Sequence, residues 1–283
     1  MNNMETIIEN LTLDQERALY NLHDAEVRNC VFAGPADGES ALKEARNIKV
    51  SDCDFQLRYP LWHVHGFEAD RIRMNETCRA AIWYCSDGAI RNSDLGGIKV
   101  LRECRRMTLD NCRIKSDEFA WMCEDIAVKD CEISSVYAFL CGKRLRIEGT
   151  SMPAKYSFQY AEDVEISNCE FDTKDALWHS KGATVRDSVF KGEYLAWYSE
   201  GLTLINCRII STQPLCYCKD LKLINCTMEG CDLAFEYSDV DAELTGHIDS
   251  IKNPRSGRIV ADSIGEIVRE GAVIPCNAEI IVC

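Results

Sequence analysis

The chain lacks the short signatures that usually announce chemistry. It contains no Cys-x-x-Cys pair and no His-Glu-x-x-His, so neither a structural zinc site nor a zincin centre is written in it, and no cofactor is expected. It has no apolar run approaching the roughly 18 residues that a membrane span requires. Its start, MNNMETIIENLTLDQERALY, has no basic head leading into an apolar stretch, so no signal peptide is read. No block of like charges marks a tail. Positive charge is in deficit: the net charge is -14 at pH 7 and the pI about 4.9. Such a surface repels phosphate backbones, which argues against nucleic acid and anionic membranes as partners. A soluble, cytoplasmic protein is expected.

Cysteine, by contrast, is abundant. There are 17 in 283 residues, an odd count in a large chain, which does not suit a disulfide scaffold. Their placement follows a repeat. Cys112, Cys131, Thr150, Cys169, Ser188, Cys207, Cys226 and Thr245 fall 19 residues apart without a gap. Ser93 and Met74 extend the series backward, and Cys53 and Cys30 continue it through coils of 21 and 23 residues. With these as position zero, apolar residues stand three before (Val128, Ile147, Ile166, Val185) and two after (Ile133, Met152, Phe171, Phe190). One before zero stands a turn residue: Asn111, Asp130, Gly149, Asn168, Asp187.

Each coil therefore reads as short period-two strands separated by sharp corners, where Asn and Asp tolerate left-handed backbone. Coils stacked about 4.8 Å apart place equal positions above one another. A crossover between parallel strands is right-handed in nearly all cases. The expected fold is all-β: a single-stranded right-handed parallel β-helix, a solenoid of roughly nineteen-residue coils. The rival, a leucine-rich solenoid, needs a slightly longer repeat and room for a helix. The cysteines at zero, with Cys85, Cys104, Cys123 and Cys218 eleven after it, read as small buried hydrophobes of a reducing compartment. One domain is expected over 1–283: an N-terminal cap over 1–25 containing the helix-friendly LDQERALYNL, regular coils over 26–240, and shorter terminal coils with a closing cap over 241–283.

A third strand is expected from five to ten after zero. All five tryptophans, Trp62, Trp83, Trp121, Trp178 and Trp197, stand nine after zero, in a column shared with Lys43, Arg102 and Gln159. Alternation puts positions seven and nine on one side, and their apolar character favours buried tryptophans; a bend near nine would instead bring nine and ten both to solvent. Position ten, with His63, Tyr84, Glu103, Tyr160, His179, Tyr198 and Tyr217, is too polar for ordinary core. Such a row along one wall suits sugars: rings cover their apolar faces while carboxylates and amides take their hydroxyls.

The densest cluster is Lys155, Tyr156, Tyr160, Lys174, Asp175, His179, Glu193, Tyr194, Tyr198, Gln213 and Tyr217. Within it Asp175 and Glu193 are candidate general acid and base, and His179 a candidate proton carrier. The remaining members are candidate substrate-binding residues. So are Arg58, His63, Arg79, Tyr84 and Glu103 of a second cluster, which also holds Glu44. The plainer alternative is a solvated sheet decorated by tyrosines and by ion pairs such as Lys174 with Glu193. His63 and His65 form a His-x-His without a third metal ligand in sight. The segment GPADGES (34–40) resembles a phosphate-binding loop only loosely, without its Gly-Lys-Ser/Thr ending. Two functions follow: an oligosaccharide-binding β-helix, with or without action on glycosidic bonds, or a non-enzymatic scaffold that pairs with a second copy through its apolar columns.

The phrases ERALY, GPADGESALKE, LRYPLWH, CRAAIWY, TKDALWH, KGEYLAWYS, TQPLCYC and IKNPRSGRIVADSIGE are similar to those of an uncharacterised bacterial and archaeal group, domain-of-unknown-function family 3737. The resemblance covers nearly the whole chain. It implies a single-stranded right-handed β-helix of the pectin-lyase-like kind and brings no established reaction. Signatures usual in that wider group are Gly-His-Gly, an Asp-Asp pair and Arg-Ile-Lys; the first two are absent here. A carbohydrate ligand therefore rests on fold analogy and the aromatic row.

Overall fold

The computed structural model describes residues 6–36 and 38–283. They form two compact units, one ending at Ala138 and the other spanning Phe139–Cys283. In the first unit a six-residue strand recurs in successive coils as His23–Arg28, Arg46–Ser51, His65–Asp70, Ser86–Arg91, Arg105–Asp110 and Glu124–Lys129, each paired parallel with the next. A shorter strand follows the first five, Val31–Phe32, Asp54–Phe55, Arg73–Met74, Asp94–Gly96 and Arg113–Lys115, and a seven-residue strand, Glu132–Ala138, follows the sixth. The second unit repeats the plan with Lys143–Glu148, Glu162–Ser167 and Lys181–Arg186, then Ser151–Ser157, Glu170–Thr173 and Val189–Glu193. Each unit is thus a parallel β-helix, as the nineteen-residue period predicts. Near the end the coils shorten: His247 pairs with Ser263 in a separate two-stranded sheet. The strand Glu279–Val282 lies along Ser256–Ala261.

The period builds the core because equal positions pile up inside. Ile90, Leu109 and Val128 are in register and buried, as are Ile147, Ile166 and Val185. Two after zero, rings pile up: Phe32 stacks on Phe55 at 4.6 Å between centroids, and Phe171 meets Phe190 tilted at 54° and 5.2 Å. At the corner, Asn111, Asp130, Asn168 and Asp187 adopt φ of 52, 49, 53 and 49°. Their side chains continue as an outer ladder: Asn206 donates to Asp187 at 2.9 Å and Asn225 to Asn206 at 2.9 Å.

Position zero turns out to be a hydrogen-bonding site as well as a packing site. Cys112 Sγ donates to the Asp110 carbonyl at 3.3 Å, and the Cys112 amide donates to Cys131 Sγ at 3.4 Å. Ser188 Oγ does the same work, donating to the Arg186 carbonyl at 2.6 Å and accepting from the Cys169 amide at 3.0 Å. Cys, Ser and Thr interchange there because each is small and carries one donor that also accepts.

Two local expectations are corrected. Asp54 pairs with Arg73, so Ile72, not Met74, stacks on Cys53. The two extra residues belong to the following coil, which makes a single 3-10 turn over Glu76–Cys78. The helix-friendly LDQERALYNL forms turns, with Arg17, Leu19 and Asn21 all left-handed. Its amides are drawn into rung bonds to the next coil, Arg17 to the Glu39 carbonyl at 2.8 Å and Asn21 to that of Lys43 at 2.9 Å, so tertiary pairing overrides helix propensity. The first five residues of the expected cap lie outside the described residues. So does Asp37 of GPADGES. In the rest of that segment Asp14 takes the place of any anion, its carboxylate accepting from the Ala36 amide at 3.3 Å.

Candidate functional site

The third segment of the coil is not the expected strand. Its residues six, eight and ten after zero are left-handed: Asp175, Leu177 and His179 (φ 49, 60, 52°), then Tyr194, Ala196 and Tyr198 (55, 58, 59°). Each such residue costs about 1–2 kcal/mol. Rung hydrogen bonds offset this. The amides of Asp175 and His179 donate to the Glu193 and Trp197 carbonyls of the next coil at 2.9 and 3.0 Å, and that of Leu177 to Ser157 of the preceding coil at 3.0 Å. Such a backbone does not alternate faces. Positions seven and eight both turn inward, as with the buried Ala176 and Leu177, while nine and ten both face outward. The expectation of buried tryptophans is therefore corrected: all five are half-buried on the outer wall.

The second unit brings the densest predicted cluster together. Tyr160, His179, Tyr198 and Tyr217 form a stack of near-parallel rings with centroids 5.0, 4.9 and 4.7 Å apart and interplanar angles of 3, 7 and 10°. Tyr237 tilts away at 47° and ends it. The rings thus occupy one another's faces and offer edges and hydroxyls outward, a limit the sequence did not reveal. Tyr160 (50% exposed) and Tyr198 (45%) stand furthest out. Burial beside the Glu236 carboxylate pushes the Tyr217 phenol up to about 12, so it is a hydrogen donor at neutral pH.

Around the stack, Lys174 Nζ pairs with Glu193 at 3.0 Å and sits 5.1 Å from the centre of the Tyr194 ring. Lys155 lies over Tyr156 at 5.1 Å. Gln213 gives its carbonyl to Trp197 Nε1 at 2.6 Å and its amide to Asp232, which also accepts from Thr212 Oγ1 at 2.5 Å. Asp175 is different. Partial burial, and after it the Glu193 charge, raise its carboxyl above the ordinary range, while Lys174 opposes the shift. Of the two predicted catalytic carboxylates, then, Glu193 is held in an exposed ion pair and Asp175 is the freer acid. The sequence does not reveal the role of Asp232, which accepts from residues 19 and 20 positions back, nor the sixteen-residue reach of the indole N–H groups, because neither is visible before the path of the coil is known.

The first unit holds the second cluster less tightly. His63 Nδ1 lies 3.1 Å from Glu44 Oε1, and its ring meets Tyr84 edge-on at 5.1 Å. Arg58 pairs with Glu39 at 3.5 Å, Arg102 Nη1 and Lys99 share Glu118 at 3.5 and 3.3 Å, and Arg79 is exposed. Glu103 approaches Arg102 at 3.8 Å. Arg102 is clasped between Trp83 and Trp121, 5.2 Å from each ring centre. This wall is largely self-satisfied by ion pairs and cation–π contacts. His65 turns to Ser86 Oγ at 2.9 Å, separate from the Glu44 contact of His63. Among the described residues no group of three or more His, Cys, Asp or Glu is placed to hold a metal ion. The Arg-Ile-Lys tripeptide does occur, as Arg113-Ile114-Lys115, outside both clusters and with Arg113 bound to Asp94 at 2.8 and 3.1 Å. No helix of the described residues is long and apolar enough to cross a membrane.

A family model matches residues 6–281. The chain belongs to DUF3737, described as a protein of unknown function. No curated protein matches this DUF3737 chain. Among solved structures it is similar to a tailspike protein of Escherichia coli bacteriophage HK620, solved in complex with a hexasaccharide, at 10% identity and a TM-score of 0.46. That match covers 92% of this chain and 60% of the tailspike chain, so the chain spans about three-fifths of that relative. A mannuronan C-5 epimerase A-module from Azotobacter vinelandii is similar at 10% identity and a TM-score of 0.31, over 96% of this chain and 88% of that one. The plasmid-mediated fluoroquinolone resistance protein QnrB1 follows at 14% identity and 0.21, over 74% and 84%. At these scores the likenesses bear on no question of activity, and the DUF3737 wall has to be read from its own residues.

Proposed function

We propose that the protein binds an extended glycan along the outer wall of its second unit. The near-parallel stack of Tyr160, His179, Tyr198 and Tyr217 carries this reading: it repeats a polar ring edge every 4.7 to 5.0 Å, close to the length of one hexose in an extended chain. Phenol hydroxyls, Asp175 and the Lys174–Glu193 pair then meet sugar hydroxyls rung by rung. Since the ring faces are already stacked, recognition is by edges and hydrogen bonds more than by sugar–ring stacking. Binding is favoured over cleavage of the glycosidic bond because Glu193 is engaged with Lys174. The cysteines form no disulfide, and those at position zero and eleven after it are buried in columns, which supports a cytoplasmic setting.

Calorimetric titration with linear oligosaccharides of increasing length tests this. Affinity is expected to rise with each sugar up to four and then level off, and to collapse in a His179→Ala, Tyr198→Ala double variant. If no glycan binds, or if both proteins bind alike, the reading fails.

The rival is a scaffold that pairs with a second copy. It draws on the exposure of Tyr160 and Tyr198, whose rings are stacked against neighbours yet still half open to solvent. Sedimentation separates the two, because a strict monomer at roughly tens of micromolar is incompatible with the scaffold.

A further inference from the structure

On the outer wall, a side-chain N–H nine after zero regularly clamps the carbonyl sixteen residues further on. Trp83 donates to Lys99 at 2.9 Å, Trp121 to Tyr137 at 2.8 Å, Gln159 to Asp175 at 3.4 Å and Trp197 to Gln213 at 2.6 Å. Trp178 breaks the pattern. Its Nε1 is buried and has no hydrogen-bond partner, where the series would give it the Tyr194 carbonyl. Two residues on, Ser180 Oγ is also buried and unpartnered. In the same column Ser199 donates to Cys218 Sγ at 3.3 Å and Ser238 to the Leu215 carbonyl at 2.7 Å. Buried polar groups are nearly always paired, and leaving one unmade costs about 1–3 kcal/mol. Single buried polar atoms without a hydrogen bond also occur in other coils, but this coil alone among the described residues carries two of them, on either side of His179.

The same coil differs in shape. Three residues before Trp62 and Trp197 stands a tyrosine that meets the indole, Tyr59 at 5.7 Å and Tyr194 at 5.1 Å, whereas Trp83 and Trp121 have Ala80 and Glu118 there and Trp178 has Asp175. Unlike Glu118, which pairs with Lys99 and Arg102, Asp175 has its carboxylate engaged by no ion pair or hydrogen bond among the described residues. A free donor and a free acceptor, three residues apart on a half-exposed surface, match the alternating needs of neighbouring hydroxyls on a pyranose. The indole is only half-buried, so without its clamp it can swing its N–H outward.

We propose that this coil holds the anchoring subsite for one sugar ring, with Trp178 Nε1–H donating to one oxygen of a vicinal diol and Asp175 accepting from the adjacent hydroxyl. The inference rests on the glycan-binding reading and names the chemistry of its central subsite. It makes Trp178 and Asp175 the residues that select for a diol over a substituted or deoxy sugar.

The test uses the full chain and a panel of neutral tetrasaccharides (cello-, manno- and maltotetraose), with calorimetry for affinity and thermal unfolding for stability. Trp178→Phe and Asp175→Ala are each expected to weaken the best tetrasaccharide about tenfold. Trp178→Phe should lower Tm less than Trp197→Phe does, because both lose ring contact but only Trp197 loses a hydrogen bond within the fold. Trp197→Phe is expected to keep the affinity and to lower Tm by about 2–4 °C. Trp178→Phe binding as tightly as wild type, while wild type does bind, overturns the subsite alone. So does a Tm loss in Trp178→Phe equal to that of Trp197→Phe, since the N–H would then be in use by the fold. A wild type that binds no tetrasaccharide overturns the glycan reading and this subsite with it.

Discussion

Asp175 concentrates the electrostatic tension of the wall. Partial burial raises its carboxyl above the ordinary value of 3.8, and Glu193 adds to the shift against the opposing Lys174. For an acid, a raised pKa means that the folded chain holds the proton more tightly than the unfolded one. Stability from this group is therefore greatest at low pH and is lost as pH climbs through the window just above 3.8. Asp175→Asn is expected to be more stable than wild type at pH 7, with the advantage vanishing below about pH 4. Denaturant midpoints at the two pH values check it; equal differences at both would show that the carboxylate is not under tension. Asp87 provides the opposite case on an exposed rung. Arg106 and Ser86 hold it down to about 2, so its contribution is present above the ordinary carboxylate range and fades only as pH falls through 2. As a surface pair it is worth no more than about 1 kcal/mol.

At the scale of the coil, the corner at position zero and the kinked outer segment follow different rules. The corner side chain bridges two rungs: Cys131 Sγ donates to the Lys129 carbonyl at 3.1 Å and accepts from the Cys112 amide at 3.4 Å. Cys131→Ser should be close to neutral, since oxygen keeps both bonds, as Ser188 does in the same column. Cys131→Ala leaves the Cys112 amide unpaired and is expected to cost about 1–3 kcal/mol, read from chemical denaturation; an alanine variant as stable as the serine one would reduce the column to packing alone. This corner was legible from sequence because burial and periodicity coincide there: Cys, Ser and Thr recur every nineteen residues between apolar columns. The outer segment was not. Faces were assigned by period-two alternation, which presumes extended backbone, whereas Leu177 and Ala196 take φ of 60 and 58°. Neither residue type announces a left-handed conformation; the rung bonds of the neighbouring coils impose it. The cluster members from Lys155 to Tyr217 were found because they share columns, yet the direction of their rings, and so the loss of open faces, is set by stacking distances that no single coil encodes.

At the scale of the molecule, coils that touch only their neighbours make stability a sum of local terms, so opening need not be all-or-none. The thiols provide a built-in reporter of this. Cys141 and Cys283 are exposed and Cys276 is half-exposed, while the other cysteines are buried along both units. Burial also raises several of them, Cys53 and Cys78 to about 12, so that even a transient approach of reagent meets a protonated, unreactive sulfur. Pulse labelling with a thiol-specific alkylating agent, read by peptide mass spectrometry, should modify Cys141, Cys276 and Cys283 at once. In rising denaturant the buried thiols are expected to follow in spatial groups. Cys30, beside the first coils, should precede Cys112 within its unit, because an inner coil must lose rung contacts on two sides and a terminal one on fewer. A single common rate for every buried thiol would mean that each opening exposes the whole chain together. The nearest-neighbour account of how these rungs hold one another would then be wrong, however regular the ladder.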